Sequence, residues 1–171
     1  MHKRLSSWIR NWVRPILISI ITGFAVMSCA TAAVAGEGNT ASFSGTQEIT
    51  VYRSPYCSCC GGWVEHMQKH GFKIKDIKTD EIEAIKQKYN LPPQLASCHT
   101  AIVDGYVMEG HIPADNIKRL LKQKPNVAGL AVPGMPVGTP GMEMGSKKQP
   151  FAVMAFDSNG DVTVFQEYRS Y

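Results

Sequence analysis

Residues 49–63 read Ile49-Thr50-Val51-Tyr52-Arg53-Ser54-Pro55-Tyr56-Cys57-Ser58-Cys59-Cys60-Gly61-Gly62-Trp63. Ile49, Val51 and Tyr52 make a short β-prone run, and Ser54-Pro55 is the turn signal that ends it. Beyond the cysteines, Trp63, Val64 and Met67 recur at helical spacing and Gly71 supplies a stop, which predicts a helix over residues 59–70. The cysteines therefore stand where a strand hands the chain to a helix N-terminus. Unpaired backbone N–H groups and the positive end of the helix dipole stabilise thiolates at such a place, which makes them nucleophiles or metal ligands. Position alone does not choose between those roles.

Working outward, residues 72–77 alternate apolar and polar side chains as a second strand, and Asp80 with Glu83 is a capping-box-like start to a helix through Tyr89. Residues 100–103 and 106–109 flank Asp104-Gly105, a turn pair that favours a β-hairpin. Pro113 at a first helical position opens a helix with Ile117, Leu120 and Leu121 on one face. The order β-α-β-α-β-β-α is that of a thioredoxin/glutaredoxin-like α/β sandwich, and it predicts a core over residues 47–124. Residues 125–150 form a Met/Pro/Gly-rich loop without periodicity, and residues 151–171 a C-terminal β-hairpin around Asn159-Gly160 in the same domain. Whether that hairpin is an addition or replaces the first as sheet edge stays open.

At the other end, a basic stretch closing at Arg14, an apolar run over residues 16–30 and the small residues Ala33-Val34-Ala35 follow the plan of a secretory signal peptide, residues 1–35, cleaved after Ala35. Two rivals are an uncleaved anchor, for which the run is marginal, and lipidation at Cys29, which would add the membrane as a partner. Each places the domain outside the cytoplasm. Small polar residues over 36–46 read as a flexible linker. Lys3, Arg4, Arg10 and Arg14 precede the apolar run while no acidic residue precedes Glu37, so the formal charge of +4 belongs to the leader and the rest is near neutral. No nucleic-acid partner is expected from that balance.

After cleavage Cys57, Cys59, Cys60 and Cys98 remain. An even number in an oxidising compartment suggests disulfides, and a Cys57–Cys60 bridge is geometrically ordinary, with Cys59–Cys98 also open. Three details favour metal instead. Cys59 is a third thiolate that a dithiol oxidoreductase does not need. Cys98 and His99 precede the third strand, where no proline stands immediately before it, and bring a soft ligand and an imidazole. Met135, Met142 and Met144 lie in the loop, and thioether with thiolate favours Cu(I) over hard cations.

Residues 52–60 resemble the active-site turn of glutaredoxins, with Cys57 and Cys60 at the C-x-x-C spacing. Over residues 49–168 the chain resembles the CopG-like copper-resistance proteins, a bacterial periplasmic family long catalogued as a domain of unknown function. The resemblance is carried by the Cys57-Ser58-Cys59-Cys60-Gly61-Gly62-Trp63 run and by the Pro133-Gly134-Met135-Pro136-Val137-Gly138-Thr139-Pro140-Gly141-Met142-Glu143 run. It implies a thioredoxin-like fold, copper bound by the C-x-C-C cysteines and a part in copper tolerance.

The expected ligand set is Cys57, Cys59, Cys60, Cys98, His99, Met135, Met142 and Met144. Three or four converging thiolates carry more negative charge than one Cu⁺ neutralises, so a thiolate-bridged multinuclear Cu(I) site is the physical expectation, with Cu(I)/Cu(II) redox as a supporting role. The partners expected are copper ions and other periplasmic copper-handling proteins. Two alternatives compete: a thiol-disulfide oxidoreductase with Cys57 as nucleophile and Cys60 as resolving thiol, and a zinc-stabilised structural module with a closed Cys₃His site. Met67, Met108 and Met154 read as core, His66 and His70 as a solvated helix face, and His111 as structural.

Overall fold

The computed structural model describes residues 47–169, so the leader, its cleavage site, Cys29 and the linker lie outside the described residues. The elements are β1 (Glu48–Arg53), α1 (Ser58–Lys69), β2 (Lys73–Lys78), α2 (Ile82–Lys88), a 3₁₀ turn (Pro93–Leu95), β3 (His99–Val103), β4 (Tyr106–Glu109), α3 (Ala114–Gln123), β5 (Gly129–Ala131), β6 (Phe151–Phe156) and β7 (Val162–Tyr168). One mixed sheet of seven strands holds them together in the order β2-β1-β3-β4-β5-β6-β7. β1 runs parallel to β2 and β4 to β5, while the other neighbouring pairs are antiparallel.

Alternation decides which face each strand buries. Ile49 and Val51 of β1, Ala101 and Val103 of β3, Met108, Leu130 and Val153 join Trp63, Val64 and Met67 of α1 and Ile117, Leu120 and Leu121 of α3 in one apolar cluster. The opposite face carries a smaller cluster of Leu91, Leu95, Val107, Ala131 and Phe156. Met67 and Met108 are fully buried, and Met154 packs against the smaller cluster, so all three belong to the core.

Three sequence expectations need correction. Residues 129–131, read as loop, form β5, whose three residues are buried and pair with β4 on one side and β6 on the other. A strand of three residues shows no period. Through it the C-terminal hairpin extends the sheet and makes β7 an edge. Second, α2 has no side-chain cap and begins at Ile82; the Glu81 N–H donates to Thr79 Oγ1 at 3.0 Å instead. Third, Pro113 stands at the cap of α3 rather than inside it. The hairpin turn matches its sequence signal, with Asp104 at φ +48° and Gly105 at φ +83°.

β7 is tied to α3 as well as to β6. The Tyr168 hydroxyl donates to Asn116 Oδ1 at 2.6 Å, and Arg119 donates to the Phe165 carbonyl at 2.8 Å with its guanidinium over the Phe165 ring.

Candidate metal centre

Cys57 caps α1 in an extended conformation, with its N–H donated to the Ser54 carbonyl at 3.2 Å. Arg53, buried at the end of β1, grips Asp76 of β2 through two hydrogen bonds of 2.9 and 2.8 Å and donates a third to the Cys57 carbonyl at 3.3 Å. The turn is thereby fixed to the sheet. The helix face that puts Trp63, Val64 and Met67 inside also buries Cys60 completely, since residues three, four and seven apart share a face.

Cys57 and Cys60 are joined by a disulfide with Cα atoms 5.4 Å apart, while Cys59 and Cys98 are free thiols. The Cys59 sulfur lies 3.4 Å from that of Cys57, and all four sulfurs fall within 4.8 Å of one another. Burial is the main cause that pushes the Cys98 thiol up to about 12, with the neighbouring Cys59 adding to it. A metal cation would reverse that balance, because a bound thiol is deprotonated.

A second group shares Cys98. Its sulfur is 2.9 Å from His111 Nε2 and 3.5 Å from His99 Nδ1, and the three residues' ligand atoms lie within 4.8 Å of one another. Both histidines are fully buried, and burial lowers the pKa of each, that of His99 well below its ordinary value. The Pro140 carbonyl can only accept, so His111 Nδ1 carries the proton that it donates across 2.8 Å, and Nε2 turns its lone pair toward Cys98. That is the tautomer a metal ligand needs. His99 packs at a tilt of 47° against Trp63 with ring centroids 4.5 Å apart, and its buried Nε2 has no hydrogen-bond partner.

His111, read from the sequence as structural, is thus part of the site. The signal was present: β3 and β4 pair Thr100 with Glu109, and the same register carried one step beyond His99 and Gly110 sets Cys98 opposite His111. His66 also departs from its reading. It is half-buried, its Nε2 accepts the Ala114 N–H at 3.3 Å, and burial with the nearby His70 lowers its pKa to about 4. His70 Nδ1 donates to the His66 carbonyl at 2.8 Å.

The loop over residues 132–150 is ordered by its own turns, including Gly138 N–H to the Met142 carbonyl at 2.9 Å and Gln149 N–H to the Val137 carbonyl at 2.8 Å. It meets the site at three points: Gly134 accepts the Ser97 hydroxyl, Pro140 accepts His111, and Gly141 packs on the first turn of α1. Met142 is half-buried, whereas Met135 and Met144 are 53% and 62% exposed.

Comparison with known proteins gives two kinds of match. A family profile described as a protein of unknown function, DUF411, matches residues 95–142, the stretch that carries Cys98, His99, His111 and most of the loop. Two solved structures described as copper resistance protein copG, forms 2 and 1, are each 38% identical to this chain with a TM-score of 0.70. They are matched over 99% and 100% of their own length and 72% and 74% of this chain. No curated protein matches.

Proposed function

We propose that this chain, which belongs to the CopG-like family of copper-resistance proteins, holds copper as Cu(I) on the sulfurs of Cys57, Cys59, Cys60 and Cys98. The observation that carries the reading is the convergence of four sulfurs within 4.8 Å at a helix N-terminus. His99 and His111, grouped with Cys98, join the set, Met135, Met142 and Met144 add thioethers from the loop, and bridging thiolates accommodate more than one Cu⁺. The scaffold is thioredoxin-like: a parallel β1–β2 pair beside the antiparallel β3–β4 hairpin supports that assignment. Export to the periplasm after cleavage following Ala35 belongs to the same reading, as does a role in copper tolerance.

The Cys57–Cys60 disulfide favours a second reading, a thiol-disulfide oxidoreductase. The same couple also serves copper chemistry, since its two thiolates yield two electrons on closing, enough to reduce two Cu(II) ions to Cu(I). Cys59 separates the two readings. In reduced protein, Cys59→Ser should weaken Cu(I) binding or lower its stoichiometry in competition with a Cu(I) chelator, and the unaltered protein should reduce insulin disulfides negligibly. Robust insulin reduction that survives Cys59→Ser would establish the oxidoreductase instead.

The loop sulfurs are tested by softness. A neutral thioether gives Zn²⁺ little but is a good ligand for polarizable Cu⁺. Replacing Met135, Met142 and Met144 together by Leu keeps apolar volume and should cost under about 1.5 kcal/mol of stability. Cu(I) affinity or stoichiometry should drop while zinc affinity stays constant. Unchanged Cu(I) binding in the triple variant would leave the loop as a cover only.

A further inference from the structure

Lys86 of α2 and Glu109 of β4 form the most deeply buried ion pair among the described residues, with side chains 6% and 0% exposed. Their hydrogen bonds converge on the segment that carries Cys98. Lys86 Nζ donates to Glu109 Oε1, to the Ser97 carbonyl at 2.9 Å and to Thr100 Oγ1 at 3.4 Å. Glu109 Oε1 accepts the Ser97 N–H at 2.6 Å, and Oε2 accepts the Thr100 hydroxyl at 2.7 Å. Both backbone groups of Ser97 are therefore held, one of them in the peptide bond leading into Cys98. Thr100 is held on the far side. The Ser97 hydroxyl in turn donates to the Gly134 carbonyl and brings the loop into the same network.

Stability does not account for such a pair. Desolvation offsets most of the attraction between buried charges, and apolar side chains of similar volume often serve as well or better. What apolar side chains cannot supply is the set of bonds to Ser97 and Thr100. We propose that the Lys86–Glu109 pair is a positioning clamp that sets the Cys98 sulfur against the Cys57, Cys59 and Cys60 cluster. Its consequence for copper rests on the reading of Cys98 as a ligand, whereas the clamp itself rests on geometry.

The test uses the full chain, reduced and metal-free, carrying Lys86→Met together with Glu109→Leu. Iodoacetamide labelling with peptide mass spectrometry reads the alkylation rate of Cys98 relative to Cys59. Release of the segment should raise that ratio about tenfold, the equivalent of one lost hydrogen bond to a charged group. Cu(I) affinity should fall about 10- to 100-fold, as when groups that orient a metal ligand are removed. Val153→Ala, a cavity in β6, should lower the thermal midpoint yet leave the ratio alone. If the double variant does not fold, Thr100→Val removes both bonds of the Thr100 hydroxyl, to Lys86 and to Glu109, while leaving those to Ser97, and should raise the ratio about threefold. An unchanged ratio in the folded double variant, or in Thr100→Val where only that variant folds, overturns the clamp. A raised ratio with Cu(I) affinity unchanged both there and in Cys98→Ser upholds the clamp and removes Cys98 from the ligand set.

Discussion

Oxidised protein is expected to bind Cu(I) more than about 100-fold more weakly than reduced protein, because the Cys57–Cys60 disulfide withdraws two of four sulfurs from the cluster. Loss of a group that merely orients a ligand already costs about 10- to 100-fold in metal affinity, so loss of two ligands exceeds that range. A disulfide sulfur carries no thiolate charge to offset Cu⁺, and Cys60 is fully buried in the closed form. What remains is Cys59, the Cys98, His99 and His111 group and the neutral thioethers of the loop. The measurement is an anaerobic competition titration against a chromophoric Cu(I) chelator, on protein left oxidised and on protein reduced with a phosphine that is then removed. Equal affinities in the two states would move the copper site off Cys57 and Cys60 and onto Cys98 with its histidines. In that event Cys57→Ser should be harmless to Cu(I) binding, which offers an independent check.

The second large effect is expected at a glycine with no chemistry of its own. A Cβ placed on Gly141 would sit 2.5 Å from the Cys59 carbonyl oxygen and 2.6 Å from the Trp63 nitrogen, both backbone atoms that cannot rotate away. Its φ of +84° adds strain for any L side chain. Gly141→Ala should therefore cost about 2–4 kcal/mol and lower the thermal midpoint by about 10 °C or more. The loop must lift from α1, which also withdraws the Pro140 carbonyl that fixes the His111 tautomer. Cu(I) binding should weaken together with stability. Gly145→Ala is the control for strain alone: its φ is +62°, but nothing lies within 4 Å of the added carbon, so about 1 kcal/mol is expected. The Gly61-Gly62 pair supplies the complementary comparison. Gly62→Ala would meet Gly141 Cα at 2.9 Å, whereas Gly61 faces open space inside a helix, where Ala should stabilise by about 0.5–1 kcal/mol. A Gly141→Ala protein with an unchanged midpoint would show that the loop does not close on the helix in solution.

Gly61 and Gly62 also mark how far the sequence can be read. Adjacent in one motif and identical in composition, they differ only in what packs on them, and that partner lies in a loop some eighty residues further along the chain. By itself the sequence determines the features whose causes are local. The β-prone run before Ser54-Pro55, the helical spacing of Trp63, Val64 and Met67, and the Asp104-Gly105 turn each depend on contacts within a few residues, and each stands in the structure. These place the three cysteines at a helix N-terminus.

Tertiary structure decides what needs two distant segments at once. β5 exists because β4 and β6 offer hydrogen bonds on either side of Gly129–Ala131, three residues too few to show a period. His111 joins Cys98 because the hairpin register continues past the ends of its strands. Lys86 looks like an ordinary cation on a short polar helix until Glu109, 23 residues on, comes within reach across the sheet. Local periodicity reports which way a side chain faces, whereas a ligand set and its supports are defined by distances between segments. Those distances are set only when the sheet order brings the loop, the hairpin and the first helix to one end of the fold.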